Sequence, residues 1–206
     1  MTVFRLFVLI WAAAFCWIEP LLAQSQNLSY KHLDDVPPNL GERLPCPPEM
    51  GNECSTRVRL KRDLTIWGVP LKGHTIASDW EEDRNGILAR DFLYKGVWLK
   101  GGKKIWFYVT WGGTLLKDQV FDGVPCKADS KVSFEDRRLT ECTLGATHKV
   151  QGIDFAPGTK LTFLGLNNTL SWADLRVPHH IGGHDYPAGV SLRFDENGVV
   201  IDQIRR

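Results

Sequence analysis

The 206 residues carry 25 basic and 24 acidic side chains, a net charge of +1, and this balance provides no bulk attraction to nucleic acid or to an acidic surface. Hydrophobic residues make up 43% of the chain, enough for one domain with a real core or a short array of repeats. Beyond the N-terminal segment no apolar run approaches the roughly 20 residues that cross a bilayer core.

The chain opens with MTVFRLFVLIWAAAFCWIEPLLAQ, in which Arg5 precedes an apolar run from Leu6 to Ile18. That is the layout of a secretory signal segment, spanning residues 1–23 with cleavage after Ala23. Its uncharged stretch is too short for a membrane anchor, and Phe15 before Cys16 disfavours a lipid-modified cysteine. Residues 24–56 are proline-rich and lack alternation, so they read as an irregular arm. The next stretch, RVRLKRDLTIW, sets Arg57, Arg59 and Lys61 on one face and Val58 and Leu60 on the other. Such charges suit an edge strand guarded against pairing with other molecules.

Four cysteines come after the signal: Cys46, Cys54, Cys126 and Cys142. An even number in an exported chain points to two disulfides. Cys46 with Cys54 and Cys126 with Cys142 are the favoured pairs, each inside one structural unit, and their spacing does not suit a zinc site.

Residues 57–206 carry a self-similar pattern. GVPLKGHTI from Gly68 is succeeded by GVWLKGGKKIWF from Gly96, GVPCKADSKVSF from Gly123, GIDFAPGTKLTF from Gly152 and GHDYPAGVSLRF from Gly183. The third position after each glycine holds Leu71, Leu99, Cys126, Phe155 and Tyr186. Later in the last four blocks stand Phe107, Phe134, Phe163 and Phe194, each two places after Ile105, Val132, Leu161 or Leu192. This period of two is that of a half-buried strand. A second series has partners five apart (Leu88 and Leu93, Leu115 and Val120, Leu139 and Leu144, Leu170 and Leu175, Val199 and Ile204), which implies a bulge or bend between them. Turn chemistry recurs as RNG at 84–86, WGG at 111–113, EDRR at 135–138, GLNN at 165–168 and DENG at 195–198. The expected fold is all-β: about five hairpin-like repeats of 27–31 residues forming a curled antiparallel sheet, as a β-roll, a barrel-like form or a solenoid, with the phenylalanine column inside.

Four features invite a functional reading. PHHIGGHDYPAG gathers His179, His180, His184 and Asp185, side chains able to ligate zinc, copper or nickel, in what reads as the connection between two blocks. DWEED, Asp79 to Asp83, has acidic groups for calcium but not the interleaved spacing of a calcium loop, and reads as a solvated loop. KKIWFYVTW turns Trp106 and Tyr108 away from the core, with Trp98 likewise between Val97 and Leu99; exposed rings of this kind mark a protein or glycan contact zone unless the proline-rich arm covers them. The cationic strand at 57–61 could alternatively meet anionic lipid. No nucleophile elbow, HExxH helix or phosphate-cradling loop is present in the sequence. The expectation is an exported, non-enzymatic protein of the periplasm, outer envelope or extracellular space, without a cofactor, acting by surface contact with a protein or glycan of the cell envelope. The alternative is an exported transition-metal-binding protein or metalloenzyme using the histidine-rich stretch.

Overall fold

The computed structural model describes residues 28–45, 56–80, 83–164 and 169–205. The N-terminal signal segment and the Cys46–Cys54 pair lie outside the described residues. Within them the chain is all-β, with one 3-10 turn at Leu33–Asp35, and no helix is long and apolar enough to cross a membrane. Twelve strands form a single antiparallel sheet whose spatial order is that of the chain. They are Gly41–Arg43, Thr56–Leu60, Ile76–Trp80, Asp83–Ile87, Lys104–Tyr108, Thr110–Thr114, Lys131–Glu135, Arg138–Thr143, Lys160–Leu164, Thr169–Asp174, Val190–Phe194 and Val200–Arg205.

From Thr56–Leu60 onward the strands are linked alternately by a short connection and by a longer excursion that folds into its own small hairpin. These five hairpins pair Leu64–Ile66 with Val69–Leu71, Phe92–Tyr94 with Val97–Leu99, Gln119–Phe121 with Val124–Cys126, His148–Val150 with Ile153–Phe155, and His179–Ile181 with His184–Tyr186. The glycines that head the sequence blocks make these hairpins. Gly96 has φ 86° and the preceding Lys95 has φ 47°, and the equivalent pair is at positive φ in every hairpin. Two successive residues at positive φ are what the tight two-residue hairpin turn requires.

The base of each excursion is closed by the same two backbone bonds. The N–H groups of His74, Gly102, Asp129, Gly158 and Gly189 donate to the carbonyls of Leu60, Leu88, Leu115, Leu144 and Leu175 at 2.7–3.0 Å. The same leucines donate their own N–H groups to the carbonyls of Thr75, Lys103, Ser130, Thr159 and Val190 at 2.8–3.0 Å. In the first three excursions Asp63, Asp91 and Asp118 also accept the turn amides of Gly73, Gly101 and Ala128 at 2.7, 2.8 and 2.6 Å. Closing the neck in this way lays the hairpin back over one face of the sheet, and the core forms between the two layers. Phe107, Phe134, Phe163 and Phe194 are all buried there, together with Ile105, Val132, Leu161 and Leu192.

Small residues on the sheet receive large ones from the hairpins. A Cβ on Gly86 would stand 2.9 Å from the Leu71 side chain, and one on Gly113 would stand 3.2 Å from that of Leu99. In the third block the corresponding positions are Cys126 and Cys142, which form a disulfide with Cα atoms 5.7 Å apart. In the fourth they are Phe155 and Ala173, both fully buried.

This layering corrects several sequence expectations. RNG and WGG are not turns: they lie in the strands Asp83–Ile87 and Thr110–Thr114, with Gly86 and Gly113 as the seats just described. EDRR and DENG do turn the chain, whereas GLNN at 165–168 lies outside the described residues. Bulges fall at Thr140, Ser171 and Ile201, which the pairing register skips. They account for the five-residue spacing in the third and fourth blocks, but Leu93 and Val120 belong to a different phase and stand exposed. Thr56–Leu60 is no edge strand, because it pairs with Gly41–Arg43 on one side and Ile76–Trp80 on the other. The stretch read as an irregular arm supplies Gly41–Arg43 to the sheet, pairs Ser29–Tyr30 in parallel with the first hairpin, and buries Leu33 and Val36. The two outermost strands of the sheet, Gly41–Arg43 and Val200–Arg205, do not pair with each other, so the sheet is not a closed barrel.

The packing sets two expected outcomes. Alanine at Gly112 would place its Cβ 2.1 Å from the Val132 carbonyl oxygen, and the strand must shift to accept it. Gly112→Ala should therefore lower unfolding free energy by about 1–3 kcal/mol, while Gly145→Ala, whose Cβ meets nothing nearer than 3.5 Å, should stay within about 0.5 kcal/mol in denaturant titrations. Replacing Cys126 and Cys142 together by alanine should remove about 2–4 kcal/mol, read as a lower denaturation midpoint.

Candidate functional site

One face of the sheet is covered by its own excursions; among the described residues no second layer covers the opposite face, whose side chains stand mostly half-buried. Strand alternation decides which residues stand there. Ile105 and Phe107 point to the core, so Trp106 points out; Val132 and Phe134 do the same for Ser133, and Leu161 and Phe163 for Thr162. The register joins these positions into one row running from strand to strand: Asn85, Trp106, Gly112, Ser133, Glu141, Thr162, Trp172 and Arg193. Trp106 and Trp172 are five strand steps apart in this row, about 24 Å at ordinary strand spacing.

Each indole is held in place. The Trp106 ring lies across Gly112, where a Cβ would come within 2.6 Å of Cζ2, and the Lys131 ammonium sits 4.9 Å from its ring centroid. The Arg193 guanidinium lies 5.9 Å from the Trp172 ring. Cations over indole faces are attracted by the ring quadrupole. Between the two rings, Glu141 takes Lys131 at Oε1, 3.3 Å away, and Lys160 at Oε2, 3.0 Å away, while its own side chain is only 14% exposed. Next to this carboxylate, Thr143, Lys160, Asp174, Arg176 and Ser191 line a depression of about 340 Å³, in which the Ser191 hydroxyl donates to Asp174 at 2.6 Å. The face thus offers two aromatic platforms with hydroxyl, carboxylate and ammonium groups between them.

Trp98, Trp106 and Tyr108, expected as one contact zone, are not gathered into one. Trp98 sits in the second hairpin between the buried Val97 and Leu99 and points away from the sheet. Trp106 points out of the sheet on the other side. Tyr108 is exposed near the end of the same strand, with the Arg84 guanidinium 5.0 Å from its ring; Arg84 also pairs with Asp79 at 3.1 Å. Sequence reasoning placed Arg193 on this face but missed Trp172 and Glu141. The bulges at Thr140 and Ser171 shift the phase of the returning strands, so simple alternation misplaces the residues beyond them.

The histidine-rich stretch is the fifth hairpin rather than a loose connection, with Gly182 and Gly183 as its turn. The two-residue glycine turn between three-residue arms was the available signal. Pairing divides the four candidate ligands two and two. His180 and Asp185 meet on the outer side, Nδ1 to Oδ1 at 2.8 Å. His179 and His184 share the side of the buried Ile181. Both nitrogens of His179 are engaged, Nε2 accepting the Ala156 N–H at 3.3 Å and Nδ1 facing the Val177 carbonyl at 3.0 Å. Among the described residues no group of three such side chains is set to hold a metal ion. In the acidic stretch, Asp79 lies in a strand and is committed to Arg84.

Glu141 is the electrostatic centre of the open face. Glu141→Gln would leave two ammonium groups around a neutral amide, and should lower unfolding free energy by about 1 kcal/mol at low salt. The difference should shrink in 1 M salt, where screening acts over about 3 Å.

No protein-family model, curated protein or solved structure matches the chain.

Proposed function

We propose that the protein is an exported, non-enzymatic binding module of the cell envelope, and that the open face of its sheet contacts an elongated glycan. The observation that carries this reading is the cross-strand row in which Trp106 and Trp172 are spaced by Ser133, Glu141 and Thr162. An indole face accepts the apolar C–H face of a sugar ring, and the groups between the rings are hydrogen-bond partners for its hydroxyls. A row along the sheet suits an extended chain rather than a compact metabolite. The disulfide between Cys126 and Cys142 supports residence in an oxidising compartment, in keeping with the signal segment read from residues 1–23.

The curled form of the array belongs to the same proposal. Each bulge adds local right-handed twist, and three of them, at Thr140, Ser171 and Ile201, recur on returning strands. The open face would then coil about the long axis of the ligand.

Co-sedimentation with insoluble cell-envelope polysaccharide tests the reading. Trp106→Ala and Trp172→Ala should each reduce the bound fraction severalfold and together abolish it, with unchanged circular dichroism. Val120→Ala, an exposed position in the hairpin layer, should have no effect. Undiminished sedimentation of the double variant would overturn the assignment.

A further inference from the structure

The hairpin layer holds a second feature, independent of the open face, that emerges when successive blocks are superposed by their pairing. In the second block Trp111 pairs with Phe107 and stacks on Phe134, with ring centroids 4.3 Å apart and planes at 15°. Phe121, from the next hairpin, meets the same Phe134 edge-on at 5.0 Å. Lys95 at the hairpin turn reaches over Trp111 at 5.2 Å, and the indole N–H donates to the Asp136 carbonyl at 2.5 Å. The space between the second and third hairpins is therefore filled by the chain's own rings.

One block later each of these residues changes. The residue opposite Phe134 is Leu139 in place of Trp111, the residue pairing at the end of the fourth hairpin's first strand is Val150 in place of Phe121, and the turn residue is Asp122 in place of Lys95. Only the phenylalanine of the sheet persists, as Phe163. Among the described residues no ring touches Phe163. The lost volume is not recovered by collapse: a cavity of about 240 Å³ remains there, with Val124, Leu139, Val150 and Phe163 as its apolar walls and Asp122 and His148 among its polar groups. A backbone clamped at each neck cannot close over a gap of this size.

We propose that this cavity binds a small aromatic cation. The ring system takes the place that Trp111 occupies one block earlier, against Phe163, and its amine meets the Asp122 carboxylate. The chain itself shows that a planar bicyclic ring is accommodated between two such hairpins. The charge is set by the exchange of Lys95 for Asp122, which replaces the cation at this rim by an anion. Lys149, the nearby cation beside the next turn, is already paired with Asp154 at 3.4 Å, and among the described residues Asp122 has no ion-pair partner. The cavity lies below the 300–1,000 Å³ of sites for drug-sized ligands, which restricts the ligand to about one ring system with a short substituent.

Tryptamine and indole-3-acetate, which share a ring and differ in the sign of the substituent, test the proposal on the full chain with its disulfide intact. Titration monitored by amide NMR should show saturable shifts centred on Asp122, Val124, Val150 and Gln151 for tryptamine, with the acid binding at least about tenfold more weakly. Asp122→Asn should reduce the preference for the amine to less than about twofold. Leu139→Trp restores the arrangement of the second block and should abolish binding while preserving the circular dichroism spectrum. Val150→Phe fills the opposite wall and serves the same purpose if Leu139→Trp does not fold. Shifts confined to other regions, equal affinity for the acid, or unaltered binding in a folded filled variant would each overturn the proposal.

Discussion

The two layers can approach only because a bulky hairpin residue faces a residue on the sheet with little or no side chain. Leu71 over Gly86 and Leu99 over Gly113 set the separation between hairpin and strand, and Phe155 and Ala173 occupy the corresponding places further along. A larger residue on the sheet would lift the hairpin and expose the phenylalanine column beneath it. Interiors at near-crystalline density do not absorb such a displacement cheaply. The clamp at the leucine backbone acts in the same direction, since its bonds hold the neck of each excursion closed whatever side chains the hairpin carries. Together they explain how short strands make one continuous core with no α-helix among the described residues.

Covering one face with the chain's own excursions has a functional corollary. The covered face is given over to stability, and its residues are chosen for volume. The other face needs only to remain soluble and paired, which leaves its side chains free to vary. Aromatic rings at Trp106 and Trp172 lie outside the core, and both are half-buried with a neighbouring cation over the ring. The Glu141 carboxylate between two lysines joins adjacent strands without adding apolar surface.

The β character and the inward phenylalanines were legible in the sequence, because burial on one face imposes a period of two, and the recurring glycines marked the turns of the small hairpins. The Cys126–Cys142 pair was legible from its position within one block. Three things were not. Glycine serves both as a turn residue and as a seat for a neighbour, so RNG and WGG, read as turns, proved to be strand. A bulge changes phase without a compositional mark, so Trp172 and Glu141 could not be assigned to the open face by alternation. One of the two pairing partners of the first cationic strand comes from the proline-rich stretch before it, where no alternation announces Gly41–Arg43. The histidine-rich stretch contained a readable two-residue turn at Gly182 and Gly183 within what read as a connection between blocks.

The disulfide acquires a particular meaning from its location. Cys126 lies two residues beyond Val124 and Cys142 three beyond Leu139, so the covalent tie stands beside the very gap left by the missing rings. Where neighbouring blocks rely on bulk to keep hairpin and strand from sliding, this one relies on a bond that needs no filler. A hole that would invite slippage elsewhere can thus persist as a stable hollow in the middle of the array.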